Sequence, residues 1–259
     1  MQHQIVSREE WLTARKALLA KEKELTRLRD RLSAQRRELP WVRVEKSYVF
    51  DAPEGKVALA DLFAGRSQLL VKHFMLAPGQ MEGCVGCSFE VDHIEGALVH
   101  LENHDVSYVA VARAPLAEIE AFKRRMGWRF RWVSAFGSDF NYDFDVSFTP
   151  EQVAKGEAFY NYRLGPVPLE DLSGESVFYR NPEGEIFHTY SAFGRGAEEL
   201  LGTYVCLDLM PKGRNETDSK MSGWVRHHDR YGHPGFVAPN GRWVAQEPQG
   251  CCGGPDGNS

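Results

Sequence analysis

The sequence predicts an α/β domain built on a sheet with parallel strands, and three observations support this prediction. Residues 68–76, with the continuous apolar run Leu69-Leu70-Val71, and the run over residues 106–112 are typical of buried strands in a parallel sheet. A helix over residues 116–126 follows the second run, because Pro115 opens it and Gly127 ends it. The order strand, helix, strand, helix, strand predicts a sheet covered by helices on both faces.

The first forty residues predict one long helix. Ser7 and Glu10 fit a capping box, and the chain contains no Gly or Pro from there to Pro40. Apolar side chains recur every seven residues along a narrow stripe, at Trp11, Leu18, Leu25, Leu32 and Leu39. This pattern favours a helix laid across its own domain, and a helix that joins two copies in a homodimer is the alternative.

Composition and charge exclude several classes of protein. The 259 residues carry a net charge of −5 and no apolar run long enough to cross a membrane, so no membrane partner is expected. The start of the chain lacks the layout of a signal peptide, so a cytoplasmic location is expected. Residues 8–37 carry ten Lys and Arg against five Asp and Glu. A solvated basic face is common, and we expect no nucleic-acid partner.

Two cysteines three residues apart, Cys84 and Cys87, are the main candidates for chemistry. They follow the first apolar strand and precede a helix predicted over about residues 88–103. Unpaired N–H groups and the helix dipole at such a junction favour a thiolate, which is the reactive form. In a reducing compartment this spacing predicts a dithiol that cycles between thiol and disulfide. The alternative is a pair of soft ligands for Cu(I) or zinc.

The other candidate residues lie after the third strand, predicted over residues 128–136, and near the end of the chain. Asp139 and Tyr142 belong to a loop over residues 137–144, where they could position a substrate or hydrogen-bond a thiolate; the alternative is a capped turn. Cys206 lies in an apolar run and is expected in the core. Cys251 and Cys252 lie in a Gly-rich end that is expected to be unstructured. No organic cofactor is expected, because the chain has no G-x-G-x-x-G and no Walker loop.

The rest of the chain predicts smaller elements around this core. A polar and aromatic cluster over residues 224–231 is interpreted as a surface or packing element, because the adjacent His227 and His228 point different ways and rarely share one metal. The other predictions are two short strands and a brief helix in 41–63, an irregular insertion over 149–174, a hairpin over 176–190, a helix over 197–209 and a loose remainder. The predicted organisation is a helical extension over 1–40, a domain over 41–235 and a flexible tail over 236–259.

Six stretches of the chain carry a resemblance to a known family. They are LPWVRVEKSYVFDAPEGKVALADLF, HFMLAPGQMEGCVGCSFEVD, VSYVAVARAPLAEIEAFKRRMGW, FGSDFNYDFDVSF, SVFYRNPEGEIFHTYS and WVRHHDRY. Together they span roughly residues 5–235. The sequence resembles a bacterial family of unknown function within the thioredoxin-like group, related to the alkyl hydroperoxide reductase and thiol-specific antioxidant (peroxiredoxin-like) superfamily. The resemblance implies a thioredoxin-like fold, in which helices flank a central mixed sheet, and it implies no settled reaction.

Two templates from this superfamily assign the thiols differently. In thioredoxin-type proteins the first cysteine attacks, which here is Cys84. In peroxiredoxins the reactive cysteine is followed by Thr or Ser and then by Glu, a pattern that Cys87, Ser88 and Glu90 match. The Pro of that template is displaced, and its Arg is missing, although Arg180 or Arg113 could substitute for it if the geometry allows.

The predicted function is therefore that of a thiol–disulfide oxidoreductase or a peroxide-reducing protein. Such a protein works with a cellular thiol reductant and with a disulfide or peroxide substrate. The alternatives are a protein that binds Cu(I) or another metal through Cys84 and Cys87, and an adaptor that docks through its N-terminal helix.

Overall fold

The computed structural model describes residues 3–214, 223–238 and 242–246. Cys251 and Cys252 lie outside the described residues. The chain divides into two compact units, Met1–Trp41 and Val42–Ser259. The division into extension, domain and tail stays a prediction.

The first unit is a single long helix, α1, over Arg8–Arg37. The predicted capping box is present, because the Ser7 hydroxyl accepts from the N–H of Glu10 while the Glu10 carboxylate accepts from the N–H of Ser7 at 2.9 Å. No side chain of α1 is buried. The apolar stripe of the helix is therefore at least partly open to solvent, with Leu25 49% exposed.

The second unit contains an eight-stranded sheet, helices and two small strand pairs. Its strands are β1 Val42–Arg43, β2 Val49–Ala52, β3 Gly55–Ala58, β4 Gln68–His73, β5 Val106–Ala112, β6 Arg131–Ser134, β7 Ala158–Tyr160, β8 Arg163–Gly165, β9 Gly174–Arg180, β10 Ile186–Phe193, β11 Gly235–Val237 and β12 Trp243–Ala245. Its α-helices are α2 Val85–Ile94, α3 Leu98–Asn103, α4 Leu116–Met126, α5 Phe140–Asp143, α6 Pro150–Lys155 and α7 Gly202–Asp208. Short 3₁₀ helices cover Leu59–Phe63, Gly194–Leu200 and His228–Arg230.

The large sheet is mixed, in the order β1-β10-β9-β4-β5-β6-β2-β3. Strands β4, β5 and β6 run parallel, whereas β9 runs antiparallel to β4 and β10 runs antiparallel to β9. The parallel strands are buried on both faces, as their continuous apolar sequences predict. The predicted α/β architecture, with a central mixed sheet flanked by helices and a long N-terminal helix, is confirmed.

The two faces of the sheet bury two separate hydrophobic clusters. Side chains of β4 and β5 such as Leu69 and Val109 pack on one face with Phe140. On the other face Ala110 of β5 packs with Ile119 of α4 and with Cys87 of α2. Helices α2 and α4 therefore cover one face of the sheet, and the two thiols lie on that side.

The structure departs from the sequence predictions in several places. The helix predicted over residues 197–209 is the 3₁₀ helix Gly194–Leu200 followed by α7, and the remainder predicted to be loose contains the β11–β12 pair. The helix predicted over residues 88–103 is two helices, α2 and α3, and it begins earlier, at Val85. Residues 149–174 contain α6 and the β7–β8 pair instead of an irregular insertion, because Thr149 forms a capping box with Gln152. The loop predicted over residues 137–144 contains the short helix α5. None of the described helices is both long and apolar enough to span a bilayer.

Candidate functional site

Cys84 is the N-cap residue of α2, where the loop that follows β4 meets the helix. Its backbone N–H donates to the carbonyl of Met75 at 3.1 Å, which ties the end of the loop to its beginning. Cys84 is partly exposed, whereas Cys87, in the first turn of α2, is only 2% exposed. Both thiols are free. The first cysteine is thus the one that a reactant can reach.

The local environment shifts the pKa values of the two thiols in opposite directions. A hydrogen bond from the Cys87 thiol is the main cause that lowers the pKa of Cys84 to about 6. Burial opposes this shift, while the backbone N–H groups of Cys87 and Gly86 and the charge of Lys72 add to it. The same thiol–thiol hydrogen bond, together with burial, raises the pKa of Cys87 well above its usual range. Cys84 therefore ionises first and holds its thiolate at neutral pH.

A buried group of three charged side chains lies on the same face of the sheet. The Lys72 ammonium, 1% exposed, donates to Glu90 of α2 at 2.6 Å and to Glu175 of β9 at 2.5 Å. Lys72 and Glu175 are directly paired residues of the antiparallel strands β4 and β9. Burial is the main cause that raises the pKa of Glu90 to about 8; Lys72 opposes the shift, and Glu175 adds to it. Glu90 can therefore exchange a proton close to neutral pH.

A cavity of about 270 Å³ opens beside Cys84. Its lining residues are Met75, Ala77, Gln80, Cys84, Arg113, Leu169, Glu170, Asp171 and Arg242. The cavity combines side chains of both charges with an apolar wall. A small molecule or an extended peptide segment that enters it would contact the Cys84 side chain.

Arg113 forms one wall of this cavity and is held rigidly. Its Nε and one terminal nitrogen donate to the two carboxylate oxygens of Asp171 at 2.6 and 2.7 Å. Its other terminal nitrogen donates to the Tyr142 hydroxyl at 2.6 Å. The structure thus places the predicted Arg113 at the cavity beside Cys84, whereas the predicted Tyr142 contacts Arg113 and does not line that cavity.

The predicted supporting residues Ser88 and Asp139 have other contacts. The Ser88 hydroxyl is fully buried and donates to the carbonyl of Cys84 at 2.9 Å, so it stabilises the first turn of α2. Asp139 pairs with Lys46 at 2.9 Å on an exposed surface and is not a lining residue of the Cys84 cavity. Ser88 therefore supports the backbone of the site, whereas Asp139 does not join it.

The family model described as "Bacterial protein of unknown function (DUF899)" matches residues 1–231. The chain belongs to this family. No curated protein matches it. The predicted resemblance to a bacterial family of unknown function is confirmed.

The solved structures that are similar to this chain share little sequence identity with it. Peroxidoxin BcpB from Mycobacterium tuberculosis is 13% identical, with a TM-score of 0.41 over 64% of this chain and 95% of that chain. A peroxiredoxin Q from Xanthomonas campestris is 17% identical, with a TM-score of 0.39 over 60% and 87%. A putative protein disulfide isomerase from Bacteroides thetaiotaomicron is 16% identical, with a TM-score of 0.36 over 64% and 90%. These values are too low to transfer an activity to the chain.

Metal ligands are scarce around the thiols. Within the described part of the chain, no group of three or more His, Cys, Asp or Glu side chains is arranged to hold a metal ion. His73, which follows Lys72 in β4, donates or accepts at Asn141 and Ser176 at 3.0 and 2.9 Å. These contacts lie among buried residues, so His73 is occupied away from the thiols.

The prediction that Cys206 lies in the core is wrong. It lies on α7 and is exposed, not buried in the core. The apolar run around it is explained by its neighbour Tyr204, which is fully buried against Phe89 with ring centroids 5.3 Å apart. Cys206 is an exposed free cysteine, so it makes a useful internal reference for the reactivity of Cys84.

Sequence reasoning missed Lys72, Glu175 and Asp171. One signal was present, because a lysine in the apolar strand sequence LLVKHF must find a buried partner or leave the strand. The partners themselves could not be found in this way. Glu175 lies 103 positions along the chain, and only the antiparallel pairing of β4 with β9 brings it to Lys72.

Proposed function

We propose that the protein is a thiol–disulfide oxidoreductase in which Cys84 is the nucleophile and Cys87 is the resolving thiol. The observation that carries this proposal is the difference between the two cysteines. Cys84 is partly exposed beside a cavity and has a pKa of about 6, whereas Cys87 is buried and holds its proton. A dithiol mechanism needs one accessible thiolate that attacks the substrate and a second thiol that later closes the disulfide.

The first step is attack by the Cys84 thiolate on one sulfur of a substrate disulfide. A new bond forms between Cys84 Sγ and that sulfur, the substrate S–S bond breaks, and the other sulfur leaves as a thiolate. Arg113, whose charge is balanced by Asp171 and Glu170, lines the cavity in which the substrate sulfurs would lie.

The second step closes the disulfide between Cys84 and Cys87. Cys87 loses its proton and attacks Cys84 Sγ, which releases the second substrate sulfur as a thiolate. Glu90 lies one helical turn from Cys87 on α2 and has a pKa of about 8, so its ionised form is suited to accept that proton. The substrate gains two electrons and the dithiol loses two. A cellular thiol then reduces the Cys84–Cys87 disulfide and restores the starting state.

The same thiolate could reduce a peroxide. Cys84 would attack a peroxide oxygen and become a sulfenic acid while an alcohol or water leaves, and Cys87 would then displace the hydroxyl as water. The peroxiredoxin template assigns the first attack to Cys87. Its burial and raised pKa argue for Cys84 with peroxides as well.

Reduction of insulin disulfides by dithiothreitol, with the protein as catalyst, tests the proposal. We expect wild type and Cys206→Ser to catalyse reduction and Cys84→Ser to be inactive. Cys87→Ser should accumulate a mixed disulfide at Cys84, detected by mass spectrometry. Full activity of Cys84→Ser would overturn the assignment. In the same series, a sulfenic acid formed on Cys87 of Cys84→Ser after peroxide treatment would identify Cys87 as the peroxide-reactive thiol.

Copper binding is the competing function, because two adjacent thiols can hold Cu(I) in linear coordination. Elemental analysis of the purified protein separates the two functions. The redox proposal predicts less than a tenth of an equivalent of copper or zinc, whereas stoichiometric metal that is lost on Cys84→Ser would favour the competing function.

A further inference from the structure

Residues 224–230, here called the strap, lie against the thiol loop and the helix that carries both thiols. The strap makes ion pairs or hydrogen bonds to two parts of this region. Arg230 donates to Glu82 at 2.8 Å, and His228 pairs with Asp92 of α2 at 2.7 Å. The ring of Trp224 lies 5.8 Å from that of Phe89, between centroids. The strap is therefore an ordered part of the site and not a loose end.

His227 is the strap residue closest to the chemistry. It is fully buried, and its Nε2 lies 2.9 Å from the carbonyl oxygen of Gly83. That carbonyl and the N–H of Cys84 belong to the same peptide unit. The N–H is already held by Met75, so both polar ends of the peptide that leads into Cys84 are fixed.

The proton on His227 is assigned by its neighbours. Nδ1 faces a terminal nitrogen of Arg125 at 3.1 Å, which can only donate. Nδ1 must then accept, and the ring proton sits on Nε2, from which it is donated to Gly83. Arg125 is itself held by Glu82 at 2.6 Å and by two bonds of 2.9 Å to Asp229. Arg125 of α4, which is held by Asp229 of the strap, thus makes His227 Nε2 the donor to the Gly83 carbonyl.

The loop at Gly83 has no room to adjust. A Cβ atom at this residue would lie 2.4 Å from the ring of Phe74 and 2.9 Å from that of Phe122. The ring of His227 packs edge-on against Phe122, with centroids 5.3 Å apart. The backbone before Cys84 is therefore confined between two aromatic rings and the imidazole.

We propose that His227 is a positioning residue of the thiol site, whose Nε2–H holds the Gly83 carbonyl and so keeps the Cys84 sulfur over the start of α2. The inference rests on the proposed function, since it assigns His227 a part in the reactivity of the proposed nucleophile. The thiolate is stabilised by donors at the helix start, and these donors act only on a sulfur that stays in place. His227 acts through the peptide and does not touch a substrate.

Three variants of His227 test this role. His227→Gln keeps an amide N–H near the position of Nε2, whereas His227→Asn is too short to reach Gly83 and His227→Met has no donor. The control is His93→Met, which removes a partly buried histidine that contacts the carbonyl of Phe89 on the same helix at 2.7 Å. Circular dichroism confirms folding, and His227→Asn replaces His227→Met if the latter does not fold.

The first readout is the rate at which Cys84 is alkylated by iodoacetamide between pH 4.5 and 10. We expect the midpoint to rise by about one pH unit in His227→Met, which lowers the rate at pH 6 about fivefold. His227→Gln and His93→Met should stay within about twofold of wild type. An unchanged midpoint in folded His227→Met, or an equal shift in His93→Met, would overturn the role of His227.

Hydrogen–deuterium exchange of the backbone over residues 81–88 is the second readout, and it does not depend on the acidity of any thiol. It should increase in His227→Met and stay unchanged in His227→Gln. If wild type lacks reductase activity while this exchange pattern holds, the proposed function fails and the positioning role stands. If exchange is the same in all variants, the positioning role fails.

Discussion

At the residue scale, two thiols of the same chemical type acquire opposite acidities from a few neighbours. Cys84 accepts a hydrogen bond from Cys87 and lies at the start of α2, whereas Cys87 is enclosed by the hydrophobic cluster under the sheet. Position on the helix and burial produce the difference, and the spacing of three residues makes the thiol–thiol contact possible. The two cysteines are therefore suited to different steps of one reaction.

The buried ammonium of Lys72 is the second feature at this scale. It donates to the acidic side chains of Glu90 and Glu175, so its removal leaves both without this partner in a buried region. We expect Lys72→Met to lower the free energy of unfolding, measured in urea, by about 3 kcal/mol. The triple variant Lys72→Met, Glu90→Gln, Glu175→Gln should recover most of this loss. A triple variant as unstable as the single one would show that the ion pairs do not explain the effect.

The acidity of Glu90 predicts a pH dependence of stability. The folded protein keeps the Glu90 proton up to about pH 8, whereas an unfolded chain loses it near pH 4.5. Between these values the folded state binds more protons, so the stability that this proton contributes is complete below pH 4.5 and is lost as the pH rises through 8.

Glu90→Gln tests that dependence. The unfolding free energy of wild type minus that of the variant should fall by about 2–4 kcal/mol between pH 4.5 and 8. Histidine titrations are common to both proteins and cancel in the difference. A difference that stays constant or rises across this range would contradict the raised pKa of Glu90.

At the element scale, α2 carries several residues of the proposed mechanism. Its N-cap is the proposed nucleophile, its first turn carries the resolving thiol, and its second turn carries Glu90. Asp92 near its other end accepts from the indole N–H of Trp128 at 2.7 Å and also pairs with His228 of the strap. Small displacements of this helix would therefore alter the positions of the nucleophile, the resolving thiol and the acceptor of the resolving thiol's proton together.

Helix α1 carries an exposed apolar stripe. Its leucines at heptad spacing are 42–52% exposed at Leu18, Leu25 and Leu32. Exposed apolar stripes of this length are typical of interaction surfaces. A helix laid across its own domain stays the favoured prediction, and a homodimer through this helix stays the alternative.

Analytical ultracentrifugation tests the alternative homodimer. If the homodimer forms, wild type will sediment as a dimer and the variant with lysine at Leu18, Leu25 and Leu32 as a monomer, because three buried charges would disrupt the seam. Lys23→Gln, on the polar side of α1, is the matched control and should remain dimeric. A monomeric wild type would rule out this homodimer.

At the scale of the whole molecule, the local part of the site was predictable and the distant part was not. The strand before Cys84 and the helix after it are encoded in contiguous sequence, so the position of the thiols followed from apolar runs and spacing. Glu175 and His227 reach the site through sheet pairing and through the strap, which local patterns do not encode. The strap itself was interpreted as a packing element, and its contact with Gly83 requires the folded chain.

The proposed role of Cys84 as the nucleophile depends most directly on its lowered pKa, and one measurement determines that pKa. Reduced protein is alkylated with iodoacetamide across pH 4.5–10, and mass spectrometry follows Cys84 and the exposed Cys206 in the same sample. A midpoint near pH 6 is predicted for Cys84. A midpoint at about pH 8.5 or higher, the ordinary range of a cysteine thiol, would contradict the proposed role of Cys84.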